Sequence, residues 1–72
     1  MRKMSFIVFY DLTQHSEKVE QRESCFEITC HRHSTAYEIL ELIKKSIKDE
    51  MYSWGSYEIK FITKVNEIEI DD

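Results

Sequence analysis

The chain has 72 residues and 8.7 kDa, with 42% hydrophobic residues, 33% charged residues and a formal net charge of −4. That is room for one small domain spanning 1–72 and too much apolar content at too little charge for disorder. It holds no apolar run long enough to span a bilayer, and its mild acidity argues against unspecific binding to a phosphate backbone, which needs clustered Lys and Arg.

The first five residues carry charge but no long apolar core, so no signal peptide is expected. Met4 to Tyr10 is rich in aromatic and β-branched residues. Met4, Phe6, Val8 and Tyr10 fall on one face of an extended segment, Ile7 and Phe9 on the other. A strand apolar on both faces belongs in the middle of a sheet. Asp11 to Arg22 is polar, with Leu12 and Val19 its only apolar anchors. It reads as a connection holding either a short helical turn or extensions of the flanking strands. Glu23 to His31 alternates, with Phe26, Ile28 and Cys30 on one face and Cys25, Glu27, Thr29 and His31 on the other. It reads as a half-buried strand antiparallel to the first.

Thr35 with Glu38 three residues later is a capping box. Behind it Ala36, Ile39, Leu40, Ile43 and Ile47 share one arc at 100° per residue, with Met51 beside them. This predicts a helix over residues 35–50, lying flat on an apolar surface. Gly55, the only glycine, predicts a reversal through a positive φ. Strict alternation then turns Tyr57, Ile59, Phe61, Thr63 and Val65 inward, and Glu58, Lys60, Ile62 and Lys64 outward. Ile68 and Ile70 belong either to a fourth short strand after a turn at Asn66 or to a bulged extension of the third.

The order is β-β-α-β, with an optional last strand. The expected fold is α+β, a three- or four-stranded sheet with one amphipathic helix on one face.

Cys25, Cys30, His31 and His33, with His15 before them, are the residue types that zinc prefers. Their spacing does not suit a site. Cys30 and His31 alternate to opposite faces, and Cys25 and His31 stand about 20 Å apart on an extended strand. No metal site, cofactor or catalytic group is assigned. The two free thiols point to a reducing cytoplasm. The rival enzyme reading is a small RNA-processing or metal-binding protein using His31 and His33 as an acid–base pair, with Arg32 and Lys60 on a phosphate. A third reading has Glu67, Glu69, Asp71 and Asp72 mimic a nucleic acid in a partner's basic groove.

The favoured reading is a protein–protein interaction module. Ile7, Phe9 and Ile62 are expected to form an apolar row on the sheet face away from the helix, with Lys60 on its charged rim. Tyr52 and Trp54 beyond the helix are a second candidate for partner binding, or else a lid over the core edge. The expected partner is a protein, with a homodimer formed through facing sheets. Abundant Ile, Lys and Glu suit an AT-rich genome, and so a phage or plasmid accessory factor that inhibits a host protein.

Overall fold

The computed structural model describes residues 1–14 and 18–70. Three strands and a helix run in the order β1 (Arg2–Thr13), β2 (Val19–Cys30), α1 (Ala36–Asp49) and β3 (Ser56–Glu69). The sheet order is β2-β1-β3, and both flanking strands run antiparallel to β1. The doubly apolar segment is thus central, as its sequence requires. The α+β arrangement is the one expected. No helix among the described residues is long and apolar enough to cross a membrane.

β2 and β3 lie parallel to each other with β1 between them. β2 ends beside Arg2 and β3 begins beside Thr13, so the chain must travel back along the whole of β1. That distance is about 40 Å at strand rise. Helix α1 covers about 21 Å of it, and the segments on either side supply the rest. The N-cap is Thr35, whose hydroxyl accepts from the Glu38 backbone N–H at 3.2 Å. Ile43 and Ile47 are fully buried against the sheet.

Beneath the helix lie Met4, Phe6, Val8, Tyr10 and Leu12 of β1 and Phe26, Ile28 and Cys30 of β2. Within the polar stretch Asp11 to Arg22, residues 11–13 extend β1 and residues 19–22 extend β2, with Asp11 opposite Gln21 and Thr13 opposite Val19. Leu12 continues the buried row of β1, and pairing with β1, not apolar patterning, makes residues 19–22 strand.

β3 departs from strict alternation. Tyr10 pairs with Ile59 while Phe9 pairs with Phe61, so Lys60 is an inserted bulge residue. Phe6 pairs with Lys64 while Ser5 pairs with Asn66, so Val65 is a second. Each extra residue reverses the facing of the strand residues beyond it. The expected orientations of Phe61 and Ile62 are therefore exchanged. Ile62 lies opposite Val8 and packs on the core, and Phe61 lies opposite Phe9 on the outer face. Thr63 likewise joins Ile7 on the outer face, and Lys64 joins Phe6 on the helix side. Asn66 makes no turn, and residues 56–69 are one bulged strand, the extension and not the fourth strand.

Gly55 also differs from expectation. Its φ lies outside the left-handed region, and what distinguishes the position is crowding. A Cβ there would stand 2.9 Å from Met51 Cε, 3.0 Å from Gln14 Cγ and 3.2 Å from the Tyr52 carbonyl oxygen.

Candidate functional site: the outer sheet face

One helix covers one face, and the other face of the sheet has no element among the described residues above it. Lys3, Ser5, Ile7, Phe9 and Asp11 run along its centre on β1, the residues that alternate with the buried set. Phe9 and Phe61 meet there with ring centroids 6.2 Å apart and planes tilted by 50°. They are 40% and 59% exposed, and two touching aromatic rings left open on one sheet face are unusual enough to need an explanation. Ile7 lies one step along, between Cys25 of β2 and Thr63 of β3.

Charged residues rim this centre, and those at its two ends are paired with one another. Lys3 Nζ lies 2.8 Å from Glu27 Oε1 toward one end. At the other, Lys60 Nζ reaches Glu58 at 3.3 Å and Asp11 at 3.7 Å. The hydrogen bond to Glu58, together with the charge of that carboxylate, raises the pKa of Lys60 and keeps it a cation. An apolar centre inside a polar rim is the anatomy of a protein interface. Of the expected row, Ile7 and Phe9 are here and Lys60 is on the rim. Ile62 is replaced by Phe61, a change that only the Lys60 bulge produces.

Tyr52 and Trp54 lie elsewhere, at the turn leading into β3. Their rings stack at 4.6 Å and 3°. The Trp54 indole N–H donates to the Gln14 carbonyl oxygen at 3.1 Å, and the Tyr52 backbone N–H donates to Gln14 Oε1 at 2.6 Å. The pair fastens its turn to the end of β1. Nothing in the sequence marks Gln14 for that task. Beside the turn, an open cleft of about 480 Å³ is lined by Lys48, Met51, Tyr52 and Tyr57 among others.

The sheet separates the thiols and the histidines. Cys25 is exposed on the outer face and Cys30 is buried under the helix, which rules out a bond between them. His31 and His33 are exposed beyond the end of β2, and His15 lies outside the described residues.

The acidic row near the end of β3 is partly neutralised. Glu67 binds Arg2 at 2.6 Å and Lys64 at 3.8 Å, and Glu69 binds Arg32 at 3.2 Å. Asp71 and Asp72 lie outside the described residues. The hydrogen bond from Arg2 holds the Glu67 carboxyl below its ordinary value of 4.5. A carboxyl depressed on folding stabilises above its unfolded pKa, and the contribution is lost as pH falls through the folded value. A Glu67→Gln chain should therefore melt below the wild type at pH 7 and level with it in acid below the carboxylate range. An equal difference at both pH values would contradict a stabilising Arg2–Glu67 pair.

No protein-family model matches the chain, and neither a curated protein nor a solved structure matches it significantly.

Proposed function

We propose that this protein is a small acidic interaction module that acts by binding another protein through the outer face of its sheet. The observation that carries the reading is the exposed Phe9–Phe61 pair beside Ile7, on a face that the chain's own helix leaves open. Buried aromatic anchors of this kind supply most of the energy in protein interfaces. The rim ion pairs suit the same role, because paired charges cost little to bring near a partner and still fix its orientation.

The finer picture is a cytoplasmic accessory factor of a phage or plasmid that modulates a host protein. Its support is the composition and the two free thiols, one of them exposed on the binding face.

The test uses immobilised wild-type and Phe9→Glu chains exposed to extract of the source cells, with retained proteins identified by mass spectrometry. The expected result is a protein held by the wild type and lost with Phe9→Glu, both chains having the same circular dichroism. Equal retention by the two chains would remove the outer face from the account.

A further inference from the structure

The outer face is self-complementary, and we infer that it is occupied by a second copy of this chain, two sheets packed face to face about a two-fold axis through Ile7. The inference rests on the reading of this face as a docking surface and names its occupant.

Area is the first argument. Three strands at about 4.8 Å spacing and 12 residues at about 3.3 Å rise give each copy a face of roughly 560 Å². Two such faces contribute roughly 1,100 Å², which clears the ~1,000 Å² minimum for a biological interface only if the whole face is covered. A twisted sheet is matched in shape over its whole length by another sheet of the same twist, stacked about 10 Å away. A partner touching only part of this face would fall short of that area.

Charge is the second. Lys3 stands four residues before Ile7 and Asp11 four residues after it, all three on the outer side of β1. A two-fold axis lying across the strands at Ile7 sets Lys3 of each copy over Asp11 of the other. The Phe9–Phe61 pairs then fall on either side of the axis, each over the smaller Ser5 and Asn66 of the other copy and flanking the two Ile7 side chains. The same axis brings Glu27 toward Glu23 of the second copy, an approach offset by the Lys3 ammonium 2.8 Å from Glu27.

Cys25 makes the geometry measurable. It pairs with Ile7 in the sheet register, so it lies on the axis and meets Cys25 of the second copy. Sheets about 10 Å apart place the two Cα atoms beyond the ~7 Å limit for a direct disulfide. A short bismaleimide with a two-carbon bridge spans that gap.

The experiment combines sedimentation velocity over the micromolar to millimolar range with bismaleimide treatment, the linked cysteine being mapped by peptide mass spectrometry. A dimer joined through Cys25 is expected, with dimerisation weakened at least roughly thirtyfold and the cross-link lost in Phe61→Glu. Phe61 is exposed, so that variant keeps its fold, and circular dichroism checks it. A chain monomeric at millimolar concentration overturns the inference. So does a dimer that Cys25 does not link, or one indifferent to Phe61→Glu. The two readings fail separately: the Phe9→Glu retention experiment scores a different protein that competes with the second copy for this face, whereas sedimentation and Cys25 linkage score the second copy alone.

Discussion

An Ile47→Ala chain is expected to lose about 2–5 kcal/mol of unfolding free energy. Ile47 has no exposed surface and sits where α1 meets the sheet, among the buried side chains of the core. Truncation removes three carbons from that contact, and the backbone of a three-stranded sheet cannot collapse far to refill the space. A domain of this size has a total stability of about 4–11 kcal/mol, so the substitution takes away a large part of it. Urea denaturation at one fixed protein concentration is the measurement, since association would otherwise shift the midpoint. A loss under about 1 kcal/mol would mean that α1 is not seated on the sheet through Ile47.

The second large effect separates two neighbouring residues. Ile62→Glu should destabilise the fold by about 1–3 kcal/mol, because it removes an apolar side chain packed on the core and sets a carboxylate against Leu40 and Ile43, in a groove that Arg2 and Lys64 also line. Phe61→Glu, one residue earlier, should change stability by only about 0.5 kcal/mol and act on association instead. An unbroken alternating strand requires the opposite pattern. Denaturation curves of the two variants therefore read the Lys60 bulge directly, and equal destabilisation would count against it.

The same bulge marks where the sequence stops being legible. The helix is readable because its signals are local. Thr35 caps it, the apolar arc from Ala36 to Ile47 needs no partner to be recognised, and the observed bounds of 36–49 lie within one residue of those expected. The central position of β1 is readable from a segment apolar on both sides. Facing in β3 is not, because Lys60 and Val65 carry no glycine or other local mark of a bulge. Their insertion is imposed by pairing with β1, where Phe9 and Tyr10 must lie opposite Phe61 and Ile59. Sequence reasoning thus finds the open face and two of its apolar residues, but chooses Ile62 where Phe61 stands. The polar half of the β1–β2 hairpin is ambiguous for the same reason. Glu20, Gln21, Arg22 and Glu23 are strand because β1 pairs with them, not because of any periodicity of their own.

Bulges at Lys60 and Val65 also bear on how the protein associates. An edge strand interrupted twice and carrying lysines resists pairing with another edge. That protection turns association away from the β3 edge, in keeping with association through the outer face.

The most direct measurement of that claim is a series of amide NMR spectra recorded as the protein is diluted from millimolar to micromolar concentration. Shifts are expected to concentrate on Ile7, Phe9, Cys25, Phe61 and Thr63, with α1 and the Tyr52–Trp54 turn unmoved. Spectra that do not change with dilution, or changes gathered around that turn, would contradict it.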